Sequence, residues 1–430
     1  MPAPDHRQPE GRFTARALRI AMIGTRGVPA AFGGFETAVE EIGRRLVDRG
    51  HAVTVYCRAP GGATGPVPPG TGPVPPGTVY LGMRLVHLPA LRPNAPASLS
   101  HTAVSIVHAT TGSRPDAAFV FGYVNAPFLP LLRRRGIPTT VHLAGGEWER
   151  DRRTRRRGRY ARWAEQASVR SADALIADSR DVAEYYSTEF AASTELIGYG
   201  TRLLHDPPQT RLEELGLRPH GFHLAVARFG PDNHLDAILD GYRRSSARLP
   251  LVIVGDPPQS AAQARRLAAL TDDPRVRLVS GLRDQEQLDQ LYAHSVSYVH
   301  GRSVGGTDPW LLRAMGARTA AIAWDVPVNR EMLGVYGAYF HDPGALAALV
   351  EDAELNPHHT QEVSEALQRR AAALYNWGHV TDGYEDLAQR LVSGYGTQRV
   401  STGRSAHPRR RAPRGYPVEP GPVVEREQPT

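Results

Sequence analysis

The 430-residue chain contains no lysine: all 51 basic positions are arginine. Beside 42 glycines and 36 prolines this reads as a coding bias, so arginine counts alone say little about partners. Cysteine is nearly absent too. The single Cys57 rules out an internal disulfide and any cysteine-built metal cluster. Long apolar runs are also missing. The longest, Ala117 to Leu132, is broken by Gly122, Asn125, Pro127 and Pro130 and is too short to span a bilayer. Residues 1–16 are polar and contain proline, unlike a secretory leader. These absences lead us to expect a cytoplasmic protein.

What is present suits two globular domains: 41% hydrophobic and 22% charged residues over a length too great for one ordinary core. A net charge of +7 and a pI near 9.7 favour phosphates, nucleic acid or an acidic membrane surface, without choosing among them.

Two series of alternating strand and helix patterns follow one another, which implies parallel sheets covered by helices. The first opens with the buried-strand pattern Leu18–Ile23, ends at Gly24, and continues into a helix from about Phe35 to Arg49. Further strands are expected at Val53–Cys57, Ala117–Phe121, Thr139–Leu143 and Ala174–Ala177. Gly65–Thr71 recurs as Gly72–Thr78, a proline-stiffened loop too short for a solenoid. The second series has strands at Phe222–Ala227, Leu251–Val254, Val276–Val279, Val296–Val299 and Thr319–Ala323. We therefore divide the chain into a disordered tail (1–16), an N-terminal Rossmann-like domain (17–200) and a C-terminal one (201–378). A helix at 379–395 packs back toward the first domain, and 396–430, poor in apolar residues, is a second disordered tail.

Three stretches carry chemistry. Gly24-Thr25-Arg26-Gly27-Val28-Pro29, followed by Gly33-Gly34-Phe35-Glu36, places glycines and a helix N-terminus after the first strand. There backbone N–H groups can meet an anion, although the same glycines also serve plain strand–helix packing. The nicotinamide alternative is disfavoured: Gly-x-Gly-x-x-Gly is absent, and the second strand ends in Cys57-Arg58 rather than an acid. In the second series, Arg228 follows the first strand, where a fixed cation can stabilise a leaving diphosphate. Gly305-Gly306-Thr307, with Pro309 opening a helix, forms another anion cradle.

Together these stretches, with Gly146-Glu147-Trp148-Glu149, Ala177-Asp178-Ser179, Ile197–Gly200, Asn329-Arg330-Glu331 and Tyr375-Asn376-Trp377, resemble retaining GT-B glycosyltransferases, particularly a bacterial rhamnosyltransferase-like branch. The resemblance covers about residues 18–390. It implies an α/β fold of two doubly wound Rossmann-like domains facing a cleft, and transfer of a hexose, rhamnose among the candidates, with retention. The donor would be a nucleoside-diphosphate sugar, the acceptor a polysaccharide or glycolipid, and neither metal nor cofactor would be required. By the same likeness Arg228 is the diphosphate-binding arginine, and Asn233, Gly305, Gly306, Thr307, Arg313 and Glu331 line the donor side. Arg26, Gly27, Gly33, Gly34 and Glu36 form the acceptor-side loop, and His142, at a strand end, is placed to polarise a hydroxyl.

The chain also departs from the family. A Glu-x7-Glu pattern falls on Gly305 and Arg313; Trp310 replaces a small residue, Asp308 an asparagine, and Ala144 an aspartate. Arginine cannot accept a hydrogen bond from a ribose hydroxyl. Either the donor pocket is remodelled, or the chain is a non-catalytic partner of an active transferase. Finally, the arginine-dense run Arg150–Arg159, with Arg409–Arg411, offers peripheral contact with anionic membrane; no nucleic-acid motif accompanies it.

Overall fold

The computed structural model describes residues 16–30, 34–59, 78–90, 95–112, 114–143, 155–226, 230–255, 272–282 and 284–396. The tails expected to be disordered (but for Arg16 and Gly396), the duplicated proline loop up to Gly77, and Gly33, Ala144 and Arg228 lie outside these ranges, as does the first half of the Arg150–Arg159 run.

The first half contains β1 (Arg19–Ile23), α1 (Gly34–Asp48), β2 (Ala52–Arg58), β3 (Val79–Tyr80), β4 (Met83–Leu88), α2 (Ala95–Thr111) and β5 (Ala117–Phe121). It continues through α3 (Leu129–Arg134), β6 (Thr139–His142), α4 (Arg155–Ser171), β7 (Ala174–Ala177), α5 (Arg180–Phe190) and β8 (Glu195–Leu196). The second half has α6 (Thr210–Glu213), β9 (His223–Val226), α7 (Leu235–Arg244), β10 (Leu251–Gly255), β11 (Val276–Ser280), α8 (Gln285–Ala293) and β12 (Ser297–His300). It closes with α9 (Pro309–Gly316), β13 (Ala320–Trp324), α10 (Pro327–Leu333), β14 (Ala338–Phe340), α11 (Pro343–Leu355), α12 (Pro357–Leu374) and α13 (Trp377–Val392).

The strand order is β3-β4-β2-β1-β5-β6-β7-β8 in the first sheet and β11-β10-β9-β12-β13-β14 in the second. All neighbours are parallel except the β3–β4 pair. In each sheet the order reverses beside the first strand, between β1 and β5 and between β9 and β12, and a crevice opens there at the carboxyl ends. The central strands are buried on both faces, which is why they read as continuous apolar runs; β5 and β7 have no exposed position.

The chain crosses between halves twice, side by side. The Thr201 N–H donates to Tyr375 O at 2.8 Å, and Trp377 packs on Gly200 so closely that a Cβ there would lie 2.4 Å from the indole. α13 then returns to the first half: Tyr384 and Leu387 join Phe119 and Leu46 in one apolar cluster, and Arg390 grips Glu195 through two hydrogen bonds of 2.9 and 3.0 Å. Arg49 and His51 both reach Glu385, at 2.6 and 3.0 Å.

Candidate functional site

Several of the residues singled out in the sequence, among them Gly34, Gly306, Thr307 and His142, lie where the two halves meet. On the second half, Gly301 allows the turn after β9 to touch the end of β12: a Cβ there would lie 2.0 Å from the Asn233 carbonyl. The Ser303 N–H donates to Asp232 O at 3.0 Å, so the Pro231–Asn233 turn that precedes α7 and the loop before α9 form one rim. His234, in the left-handed conformation at φ 44°, stacks flat on Trp324 at 3.7 Å and lies 2.8 Å from Ser303 Oγ.

The Gly305–Thr307 turn is braced from within. Arg302 wraps around it, donating from Nε to Val304 O at 2.8 Å and from Nη1 to Asp308 Oδ2 at 2.5 Å. Gly305 sits at φ 132°, where a side chain would be strained. Asp308 also caps α9 by accepting from the Trp310 N–H at 2.7 Å. Its carboxylate is fully buried; burial alone would raise its pKa, but the Arg302 guanidinium beside it holds it below the ordinary range. Sequence reasoning passed over this pair, although a buried acid six residues after an arginine in a glycine turn was the available signal.

From across the cleft, Asp178 after β7 closes on the same turn. Thr307 Oγ1 donates to the Asp178 carbonyl, and a Cβ on Gly306 would lie 1.9 Å from Asp178 Oδ1. Glu331 on α10 also reaches over: it accepts from the Arg180 N–H at 3.0 Å, completing the cap that Ser179 makes on α5. Glu331 is thereby engaged at the N-terminus of α5. Arg313 points to α8, donating to Asp289 at 2.7 Å and to Gln285 at 2.8 and 2.7 Å, and lies over the Tyr292 ring. Its guanidinium is committed to a neighbouring helix.

On the first half, Glu36 and Glu40 in the first turns of α1 accept from the backbone N–H groups of Arg26 (3.1 Å) and Ala30 (2.7 Å), which pins the glycine loop. Gly27, at φ 106°, lets this loop close on Cys57. The Arg58 N–H donates to Arg26 O at 3.0 Å, which sets two arginines side by side at the ends of β1 and β2. Among the described residues neither makes an ion pair, and the buried Nε of Arg58 has no hydrogen-bond partner. Gly34, at the start of α1, faces Pro309 at the start of α9, so the two helix N-termini meet across the cleft.

His142 ends β6 beneath this meeting point and is fully enclosed. Its ring stacks on Tyr199 (5.5 Å) and meets Phe35 (5.2 Å) and Phe121 (5.6 Å). Nδ1 lies 2.6 Å from the Tyr384 hydroxyl, while Nε2 has no hydrogen-bond partner among the described residues. Burial depresses its pKa to about 3, so the imidazole is neutral.

Residues 33–200 match the glycosyl transferase 4-like domain family. No curated protein matches the chain. Among solved structures, sucrose-phosphate synthase from Thermosynechococcus elongatus superposes with a TM-score of 0.72 at 20% identity, over 87% of this chain and 99% of that one. The fold is GT-B. Anabaena HepE in complex with UDP-glucose superposes at 0.67 with 14% identity, over 86% of this chain and 99% of its own. The Escherichia coli protein described as trehalose-6-phosphate bound with UDP-2-fluoro glucose does so at 0.64 with 11% identity, over 86% and 99%. In this GT-B fold the two glycine loops lie at the switch points of the two sheets.

Proposed function

We propose that this protein is a glycosyltransferase that moves a hexose from a nucleoside-diphosphate sugar to a glycan or lipid-linked acceptor, with retention and without a metal. The observation that carries this reading is the meeting of two helix N-termini, α1 and α9, each preceded by a glycine loop, across one interdomain crevice. Because Asp308 already caps α9, the backbone donors assigned to an elongated phosphate ligand in this reading are those of the α1 N-terminus and of the two glycine loops. The second half is assigned the donor, with Arg228 and the Gly305–Thr307 turn on the diphosphate. The first half is assigned the acceptor, with the glycine loop, Glu36 and His142. Arg26 and Arg58, with the Glu36 carboxylate beside them, make this end of the cleft net basic among the described residues, which suits an acceptor that carries a negative group.

Arg159, Trp163 and Arg170 are exposed on α4, and Arg133, exposed with Arg134 and Arg135 at the end of α3, donates from Nη1 to the Arg170 carbonyl at 3.5 Å. A basic face with an exposed tryptophan suits peripheral contact with an anionic bilayer, where a lipid-linked acceptor resides. No described helix is long and apolar enough to cross a membrane.

A second reading, a GT-B partner that no longer catalyses, is favoured by Arg313, which stands where relatives place a carboxylate and is bound to α8. Calorimetry with UDP-, GDP- and dTDP-sugars tests both. Binding followed by turnover with an acceptor supports the enzyme, binding or its absence without any turnover supports the partner, and failure of every nucleotide to bind overturns the first reading.

A further inference from the structure

His142 and Tyr384 are 242 residues apart in sequence, yet the Tyr384 hydroxyl lies 2.6 Å from His142 Nδ1. α13 brings it there: the helix leaves the second half at Trp377, crosses the seam, and packs on α1, with Tyr384 fully buried against Phe119 at 4.9 Å between ring centres. Nothing in apolar packing requires a phenol at this point, since the ring alone fills the space. The hydroxyl has one hydrogen-bond partner among the described residues, and that partner is the imidazole.

Which atom donates follows from counting. If the tyrosine O–H donates to Nδ1, both groups are satisfied and the imidazole proton resides on Nε2, leaving one orphan, the Nε2–H. If Nδ1–H donated to the phenol oxygen instead, two groups would be left: the tyrosine proton and the bare Nε2 lone pair. Burying an unsatisfied polar group is costly, so the arrangement with fewer orphans prevails. Both groups stay neutral, because burial holds the phenol well above its usual range and the imidazole well below.

We propose that Tyr384 is a positioning residue that fixes His142 as the Nε2–H tautomer, so that the acceptor side of the cleft offers a neutral hydrogen-bond donor and not a base. The remaining orphan N–H is satisfied when a hydroxyl oxygen of the bound sugar or acceptor arrives. This rests on the assignment of His142 to the ligand cleft made under Proposed function. The last helix of the fold then belongs to the site, although it contributes no group that touches the ligand.

Nitrogen-15 NMR of the full-length protein reads the tautomer directly, with the His142 signals assigned by their loss in His142→Phe. The expected spectrum has a bare, pyridine-type Nδ1 and a protonated Nε2. Tyr384→Phe keeps the ring and should mix the two tautomers. Addition of UDP-glucose should move the Nε2–H resonance, whereas UDP alone should not. Tyr384→Phe should also lower kcat by about tenfold, the weight of one hydrogen bond, with KM for the nucleotide sugar within twofold. A proton on Nδ1 in the wild type overturns the proposal, as does a Tyr384→Phe protein with unchanged tautomer and unchanged kcat. Should that variant not fold, the wild-type spectrum alone decides. If no nucleotide sugar binds, the glycosyltransferase reading fails, while the tautomer assignment still stands or falls on the ligand-free spectrum.

Discussion

The two halves of the molecule share one topology but line their shared crevice in opposite ways. Each sheet reverses strand order beside its first strand, and each sends a glycine loop into a helix at that point. The second half stabilises its loop with charge: Arg302 to Asp308 inside the turn, and Arg313 to Asp289 behind it. The first half keeps a neutral floor, with His142 among Phe35, Phe121 and Tyr199. A diphosphate needs fixed, correctly oriented charge, which ion pairs hold rigid. An acceptor hydroxyl needs a dry neighbour whose protonation does not wander. Under the proposed function one fold serves both, because the walls of each crevice are set by loops, not by the sheet.

The contrast is broken most severely at Asp308. Asp308→Ala removes the α9 cap and leaves Arg302 without its buried partner. We expect a loss of about 3–5 kcal/mol in urea unfolding, together with loss of nucleotide-sugar binding. Replacing both members by apolar residues should restore much of the stability but not the binding, because the turn would no longer be held. A double variant as unstable as the single one would argue against the pair as the brace.

Gly306→Val comes next. Its Cβ would lie 1.9 Å from Asp178 Oδ1, so the turn and the first half must part, at a cost of about 1–3 kcal/mol. Small-angle scattering should show a more open molecule. An unchanged profile with unchanged nucleotide affinity would show that the seam tolerates the intrusion.

The sequence made the scaffold legible and left the contacts between halves obscure. Parallel strands buried on both faces leave continuous apolar runs, and the central strands announced themselves that way: Ala117–Phe121 and Ala174–Ala177 match to the residue, whereas β4, Met83–Leu88, only partly buried and broken by Arg84 and His87, was not expected. The edge strands β3, β8 and β14 are two or three residues long, too short for a period to show. The glycine loops were readable because their conformations restrict residue type. Glu331, Arg313 and Asp178 were not, because what they touch lies on other helices or on the other half, at sequence separations that no local pattern encodes. Tyr384 is the clearest case. Its hydroxyl acquires meaning only once His142 is beside it.

Acid should distinguish the halves less sharply but still measurably. Burial lowers His142 to about 3 and His101 and His300 to about 4. For a histidine whose folded pKa lies below its unfolded one, stability is full above about 6.5 and falls with pH toward the folded value. Between pH 6 and 4.5 the unfolding free energy should therefore decline, with a slope approaching about 1.4 kcal/mol per pH unit for each of the three. Denaturant midpoints across that window check it, and His142→Phe should flatten the slope by about a third. A flat profile would mean that these imidazoles are hydrated in solution.

Arg313→Glu sharpens the question of whether the donor pocket was remodelled or abandoned. The change restores the carboxylate of the family pattern but sets it beside Asp289, so stability should fall by about 1 kcal/mol. If the arginine has displaced a ribose contact, nucleotide affinity should rise severalfold despite the lost stability. If affinity stays level and the wild type turns over donor, Arg313 is a strut of a working pocket and the partner reading is refuted.

The smallest structural effect is expected on the outer face of the first half. Arg159, Trp163 and Arg170 are exposed on α4 and make none of the ion pairs that tie Arg162 to Glu189. Replacing Arg159 and Arg170 by glutamine and Trp163 by serine should leave unfolding within about 0.5 kcal/mol of wild type, as for surface changes in general. Sedimentation with vesicles of phosphatidylglycerol and phosphatidylcholine should nonetheless change. Wild-type protein should bind in proportion to the anionic fraction and release with salt, because each arginine near the surface contributes about 1 kcal/mol. The triple variant should lose most of that binding, while transfer to a short, water-soluble acceptor stays unchanged. Equal sedimentation of both proteins, or binding indifferent to anionic lipid, would assign these arginines to solvation and leave the cleft alone to find its acceptor.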